Sequence, residues 1–161
     1  MPVREAMTTD YEVIRDLLHA SDALHARHVP AVARVPDKPR FTRAELAELV
    51  ANERCLLLVG EQAGVVVGFI EASVRVPERP DEADERWCGI TNLAVEPRWQ
   101  RHGLGTLLVS AVEGWARSQG IDQVRLDVFA FNDAAQALYA GLGYHAIALH
   151  LGKSLTDEAA R

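Results

Sequence analysis

The fold is decided by a junction in the second half of the chain, Asn92-Leu-Ala-Val-Glu-Pro-Arg-Trp-Gln-Arg-His-Gly-Leu-Gly-Thr106. An apolar run with strand character ends at Val95, and a helix with apolar residues in a 3.6-residue period begins at Leu104. Between them, Gly103 and Gly105 lack a Cβ, so that backbone N–H groups can converge on an anion at the helix N-terminus. The junction is therefore typical of a phosphate-binding loop.

The spacing of these glycines excludes two common classes of phosphate-binding loop. The third glycine of the dinucleotide fingerprint G-x-G-x-x-G would fall on Leu108, and the Gly-Lys-Ser/Thr of a Walker A loop does not follow. Hydride transfer from a nicotinamide cofactor and hydrolysis of a nucleoside triphosphate both lose support for this reason.

The remainder of the chain predicts a mixed α/β sheet in one domain, residues 1–161, because this length suits a single core. Capping boxes at Thr9–Glu12 and Thr42–Glu45 predict two helices after a first strand. The predicted strands span 3–7, 55–60, 65–76, 87–95, 124–129 and 144–151, and the later helices span 104–119 and 132–142. The polar segment 77–86 is predicted to be a loop.

Composition and charge exclude several classes of partner. The chain carries 17 basic and 23 acidic side chains, and its net charge of −6 argues against nucleic acid, whose phosphates require a basic face. The sequence has no apolar stretch of membrane-spanning length, no secretory signal pattern and no third ligand beside His25 and His28, so neither a membrane nor a metal site is predicted. Cys55 and Cys88 lie in apolar runs typical of buried thiols, which favours the reducing cytoplasm.

Two motifs resemble those of one superfamily. The stretch Gln100-Arg-His-Gly-Leu-Gly105 resembles the pyrophosphate loop Q/R-x-x-G-x-G/A of the GCN5-related N-acetyltransferases. Asn132-Asp-Ala-Ala-Gln-Ala-Leu-Tyr139, followed by Gly141-Leu-Gly-Tyr144, resembles their second signature. The resemblance implies the acyl-CoA N-acyltransferase fold, a central mixed, mostly antiparallel sheet with splayed fourth and fifth strands and helices on both faces. It also implies acetyl-CoA as cosubstrate, and it makes a homodimer a possibility.

The resemblance implies a set of donor-binding residues. Leu93 and Val95 would pair with pantetheine through the main chain, as with an added strand, and a backbone N–H near Leu93 or Ala94 would face the thioester oxygen. Asn132 is predicted to cap its helix and to contact the donor arm as well. The residues expected to hold the pyrophosphate are Gln100, Arg101, His102, Gly103, Leu104, Gly105 and Thr106.

Three side chains are candidates for proton transfer. The resemblance implies that Tyr139 assists the departing thiolate, mainly as a hydrogen-bond donor, because an ordinary phenol is about 1.5 pKa units weaker as an acid than a thiol. Asp127 is the expected base, since the related ribosomal-protein alanine acetyltransferases carry a glutamate there. Glu71 on the predicted third strand is its rival if its side chain points into the cleft. Thr91 and Asn92 stand where many relatives carry an acid, so that common position for a base is not filled here.

The acceptor is left open by the sequence. A small amine, an aminoglycoside-like antibiotic and a peptide N-terminus all fit, and the net negative charge favours a cation. Because no cysteine is placed as an acyl carrier, the amine is expected to attack the thioester directly in a ternary complex. The alternatives are a non-catalytic acyl-CoA-binding module and a transferase for a longer acyl group. The two early helices and the 77–86 loop are expected to select the acceptor.

Overall fold

The described residues, which are 1–77, 86–153 and 155 in the computed structural model, form a five-stranded sheet between two layers of helices. Two short 3-10 helices, Thr8–Asp10 and Pro97–Trp99, precede α1 and α3. The strands are β1 (Val3–Glu5), β2 (Cys55–Gln62), β3 (Val65–Arg75), β4 (Trp87–Val95) and β5 (Val124–Leu126), and the helices are α1 (Tyr11–His28), α2 (Arg43–Ala51), α3 (Leu104–Ser118) and α4 (Asp133–Gly141).

The strands follow chain order across the sheet, and only the β4–β5 pair is parallel. That pair is short, because it joins only Cys88–Ile90 to Val124–Leu126. The β3–β4 register shifts immediately afterwards, so that Thr91 is an extra residue in a β-bulge. β4 then continues to Val95 without β5 beside it, and the two strands splay apart as predicted.

Each face of the sheet has its own apolar core. On one face, α1 and α2 pack against β2 and β3 around Ile14, Leu46 and Phe69. On the other face, α3 and α4 pack around Leu108, Val112 and other buried side chains. This mixed sheet with helices on both faces confirms the predicted fold class. No helix in the described ranges combines the length and apolar character that crossing a membrane requires.

The first turn of α3 is seated directly on the sheet. Leu104 is buried and lies against Gly60 of β2, where an added Cβ would overlap the Leu104 Cδ1 atom. This close approach requires a glycine and sets the position of the α3 N-terminus relative to the strands.

Two predicted caps are confirmed, and one is wrong. The Thr42 hydroxyl accepts from the Glu45 N–H and the Glu45 carboxylate accepts from the Thr42 N–H, while Asn132 Oδ1 accepts from the Ala135 N–H at 3.1 Å. The box predicted at Thr9–Glu12 does not form, because the Asp10 carboxylate accepts from the Met7 N–H instead. Arg4 of β1 also binds that carboxylate, so an ion pair between β1 and the residue that precedes α1 decides how α1 begins.

The last third of the chain departs from two predictions. β5 ends at Leu126 rather than at residue 129, since Phe129 and Phe131 pack on His25 and His28 of α1 instead of following β4. The strand predicted over 144–151 is wrong: no strand forms there. Its apolar side chains are exposed, at 72% for Ile147, 79% for Leu149 and 92% for Leu151. Alternation marks a segment that suits a strand, but a strand also needs a neighbour to pair with. The acidic part of the predicted 77–86 loop, residues 78–85, lies outside the described residues.

Candidate active site

The loop between β4 and α3 presents the first turn of α3 to solvent. Gly103 is the N-cap of α3 and has φ +85° and ψ −5°, a left-handed conformation that other residues adopt at a cost. A glycine cap has no side chain to satisfy the N–H groups of Leu104, Gly105 and Thr106, which also lack acceptors within the helix. The positive end of the helix dipole adds to these free donors, so this turn can bind an anion.

Side-chain hydrogen bonds hold the preceding loop in place. Gln100 Nε2 donates to the Val95 carbonyl at 2.9 Å, and His102 Nδ1 donates to the Gln100 carbonyl at 2.7 Å. Arg101 has φ +62°, a left-handed conformation outside glycine that the sequence motif does not signal. Strain of this kind is concentrated at functional sites, and here it leaves both Arg101 and His102 exposed beside the α3 N-terminus.

Main-chain groups of β4 face the opening between β4 and β5. The Glu96 N–H donates to the Val67 carbonyl, and the Ala94 carbonyl lies 3.0 Å from the Cβ position of Gly68, so both groups point toward β3. Because such groups alternate along an antiparallel strand, those of Leu93 and Val95 point the other way, toward the splayed side. The register thus aims the Ala94 N–H at β3 and the Leu93 N–H at the opening.

Tyr139 lies on the inner side of α4. It is only 9% exposed, and its ring meets the Tyr144 ring edge to face at a centroid distance of 5.6 Å. Burial raises the pKa of the Tyr139 phenol to about 12, so the group is protonated at all ordinary pH values. Tyr144 donates to Glu113 of α3 at 3.2 Å, which fixes the ring that Tyr139 packs against.

The two candidate bases occupy different environments. Asp127 is exposed and follows directly after β5, and its carboxylate makes no hydrogen bond or ion pair with the described residues. Glu71 is half-buried on β3, where it accepts a hydrogen bond of 2.6 Å from Asn92 Nδ2. Asn92 is the β4 residue paired with Glu71, one position after the bulge at Thr91.

The sheet separates the candidate groups. Alternation along β3 places Glu71 on the same face as Phe69, in the layer of α1 and α2. Tyr139, Leu93 and Val95 belong to the core of the opposite face. The opening between β4 and β5 is the place where a reactant on one face can meet a reactant on the other.

Sequence reasoning missed two residues of this region. Arg40 Nη1 donates to Asn92 Oδ1 at 3.4 Å, and Arg40 Nε donates to the buried Asp22 carboxylate at 3.0 Å. Asp22 belongs to α1, and Arg40 precedes α2, 52 positions before Asn92 in the chain. No sequence pattern links residues so far apart in the chain. Only the folded structure shows that Asp22 is buried, and a buried carboxylate requires a partner such as Arg40.

Sequence comparison supports the interpretation of these motifs. A family model described as the acetyltransferase (GNAT) family matches residues 19–144. Mycothiol acetyltransferase from Salinispora tropica is 33% identical over 139 residues, covering 83% of this chain but only 44% of that relative. An aminoglycoside N(6')-acetyltransferase type 1 from Acinetobacter genomosp. 13 is 25% identical over 146 residues, covering 90% of this chain and 89% of that relative. The chain thus spans less than half the length of the first relative and most of the second.

Solved structures share the fold. A mutant of the BH1408 protein from Bacillus halodurans superposes with a TM-score of 0.87 at 24% identity, covering 96% of this chain and 99% of that one. Aminoglycoside N-acetyltransferase AAC(6')-Iy in complex with CoA gives a TM-score of 0.72 at 18% identity, covering 95% and 98%. Among the described residues, no group of three or more His, Cys, Asp or Glu is arranged to hold a metal. With both signatures, the splayed sheet and a family match over most of its length, the chain belongs to the acetyltransferase (GNAT) family.

Proposed function

We propose that this acetyltransferase moves the acetyl group of acetyl-CoA to a primary amine of a cationic acceptor, by direct attack in a ternary complex. The observation that carries the proposal is the opening between β4 and β5. Main-chain groups of Leu93 and Val95 face it from one side, and the carboxylate of Glu71 lies on the opposite face of the sheet. A donor and an acceptor can thus approach each other through the sheet.

Acetyl-CoA fits the donor side. Its pyrophosphate is an anion, and the uncapped N–H groups at the start of α3, with Arg101 beside them, suit an anion. The residues of this cradle are Gln100, Arg101, His102, Gly103, Leu104, Gly105 and Thr106. The pantetheine amides would pair with Leu93 and Val95 as an added strand does, and the Leu93 N–H would stabilise the charge that develops on the thioester oxygen. The capping amide of Asn132 would contact the donor arm.

The reaction forms a C–N bond and breaks the C–S bond of the thioester. We assign Tyr139 as hydrogen-bond donor to the leaving sulfur, because full transfer from a phenol of pKa about 12 to a thiolate of pKa about 8.5 would cost about 5 kcal/mol. The thiolate then takes its proton from solvent. A neutral hydrogen bond to the developing anion still lowers the barrier without this transfer.

The amine must lose a proton before or during attack. An alkylamine with a pKa near 10.4 requires about 4–5 kcal/mol for deprotonation at pH 7. Asp127, exposed beyond β5, would accept the proton directly or through a water, and Glu71 would do so from the α1 and α2 face. The two variants Asp127→Asn and Glu71→Gln separate these assignments.

An aminoglycoside-like amine is the first acceptor to test. The relative that shares nearly its whole length with this chain is named for that acceptor, and the chain has a net charge of −6. We place the enzyme in the cytoplasm, the reducing compartment where Cys55 and Cys88, both free, remain thiols.

The test is release of the CoA thiol from acetyl-CoA across aminoglycosides, small amines and peptides. We expect turnover with at least one polycationic amine, and loss of turnover for whichever of Asp127→Asn and Glu71→Gln removes the base. Tight CoA binding without thiol release for any amine would overturn the proposal and would indicate a binding module. Release that occurs only with longer acyl-CoA donors would overturn the assignment of the donor.

A further inference from the structure

Four polar side chains form a connected chain on the acceptor face. Asp22 of α1 is 3% exposed and pairs with Arg40 through two hydrogen bonds. Arg40 also donates to Asn92 Oδ1 at 3.4 Å, and Asn92 Nδ2 donates to Glu71 at 2.6 Å. The order Asp22, Arg40, Asn92, Glu71 thus alternates acceptors and donors without interruption.

The orientation of the Asn92 amide follows from its neighbours. If the amide were reversed, its oxygen would face the Glu71 carboxylate and its NH₂ group would face the Arg40 guanidinium, which is repulsive at both ends. Arg40 therefore selects the orientation in which Asn92 donates to Glu71 Oε2. One carboxylate oxygen of Glu71 is held by Asn92, and Oε1 is left to receive another donor.

The charges in this chain do not cancel. Arg40 carries one positive charge, and Asp22 and Glu71 each carry a negative one. The Arg40 guanidinium forms an ion pair with the Asp22 carboxylate, and the neutral amide of Asn92 separates Arg40 from Glu71. Within the described residues, no cation forms an ion pair with Glu71. Arg40 attracts Glu71 only from a distance, so the face of the sheet that an acceptor would reach keeps an excess of one negative charge.

We propose that Asp22 is a positioning residue that keeps the Arg40 guanidinium on itself, so that the negative charge of Glu71 stays available to an ammonium group of the acceptor. The inference rests on the proposed function, because it assigns acceptor recognition to this face. Without the Asp22 charge, the guanidinium is free to pair with Glu71, to which Asn92 already links it, and it then competes with the incoming cation.

This role has a signature that a purely structural role lacks. In Asp22→Asn, the KM for a polycationic acceptor such as kanamycin is expected to rise about tenfold or more, because a hydrogen bond to a charged group typically contributes that much to affinity. The KM for acetyl-CoA is expected to stay unchanged. In the double variant Asp22→Asn with Arg40→Gln, the competing cation is gone, while glutamine can still donate to Asn92 Oδ1. The double variant is therefore expected to recover most of the acceptor affinity that Asp22→Asn loses.

The matched control is Asp16→Asn, which removes the same charge from the same helix at an exposed position paired with Arg15. It is expected to leave both KM values at the wild-type level. Glu71→Gln is expected to raise the acceptor KM and to show no further effect of Asp22→Asn. If Asp22→Asn by itself fails to fold, three other proteins still test the positioning role of Asp22. They are Glu71→Gln, Glu71→Gln combined with Asp22→Asn, and the double variant of Asp22 and Arg40.

Binding is also measured without turnover, by calorimetry of kanamycin with the protein saturated with CoA. Recovery in the double variant supports the inference. A double variant that binds kanamycin as weakly as Asp22→Asn, or an Asp22→Asn variant with wild-type affinity, would overturn it. So would a wild-type protein that does not bind kanamycin. Failure of the proposed function is distinct, since it appears as absent thiol release by the wild type with every amine.

Discussion

Replacement of Gly103 by alanine tests whether the left-handed cap of α3 builds the anion site. Gly103 has φ +85°, and no other group lies within 4 Å of an added Cβ, so the substitution acts through backbone conformation and not through a clash. A left-handed alanine costs about 1–2 kcal/mol, and the smaller entropy of its unfolded chain returns less than that. We expect the free energy of unfolding to fall by about 1 kcal/mol.

Gly114 provides the matched control because it lies in the middle of the same helix, also with open space around its Cβ position. Alanine there has ordinary helical geometry and should raise the free energy of unfolding by about 0.5–1 kcal/mol. The two Gly→Ala variants should therefore differ by about 2 kcal/mol in urea unfolding, or by about 4–8 °C in Tm. Gly103→Asn should fall between glycine and alanine in stability, since asparagine tolerates this conformation better.

The same pair of variants separates stability from donor binding. A cap forced out of the left-handed region redirects the first-turn N–H groups, so the KM for acetyl-CoA should rise about tenfold in Gly103→Ala and stay constant in Gly114→Ala. Thiol release at varied acetyl-CoA measures both values. Equal urea midpoints for Gly103→Ala and the wild type, with an unchanged acetyl-CoA KM, would refute this account of the loop.

Three further predictions concern other parts of the molecule. Tyr139→Phe should lower turnover about 100-fold with little change in the acetyl-CoA KM, and an unchanged turnover would remove its assigned role. Hydrogen bonds from Arg4 lower the pKa of Asp10, so the ionised carboxylate stabilises the fold above its unfolded pKa of about 3.9, and this contribution disappears as the pH falls through the folded pKa. Asp10→Asn should therefore lose less stability than the wild type between pH 7 and pH 3 in urea unfolding. Burial raises the pKa of the Cys88 thiol to about 11, so a thiol reagent at pH 8 should label Cys55 first and Cys88 only after unfolding; equal rates would contradict this burial.

Features whose partners lie within a few residues could be predicted from the sequence. The Thr42 capping box and the Asn132 cap close hydrogen bonds over three positions, so their residue types already specify them. The same pattern at Thr9 does not form a cap, because the Asp10 carboxylate instead accepts from the Met7 N–H three residues earlier and is held there by Arg4 of β1. The position of Arg4 depends on the pairing of β1 with β2, which the Thr9–Glu12 spacing does not contain. The strand prediction for 144–151 was wrong for a related reason. Alternating apolar and polar residues indicate that a segment could form a strand, but they do not show whether a neighbouring strand is there to pair with it.

The candidate site also has one half that the sequence predicts and one half that it does not. Its donor half could be predicted, because the strand, the loop and the first turn of α3 are one continuous stretch, and a glycine at its cap is both a sequence signal and a conformational requirement. Its acceptor half could be predicted only as far as the candidates Glu71 and Asp127. Which of them is half-buried, and what holds it, depends on strand pairing, on α1, and on the segment before α2, which are far away in the chain.

The sequence by itself therefore determined the class of sheet, the position of the anion-binding turn and the family to which both signatures belong, because each depends on short-range periodicity or on residues adjacent in the chain. The tertiary structure alone decided that β5 stops at Leu126 and that Asp22, Arg40 and Asn92 form a hydrogen-bonded chain that ends at Glu71. Those features are set by packing and charge pairing between distant segments, which are defined only when the chain has folded.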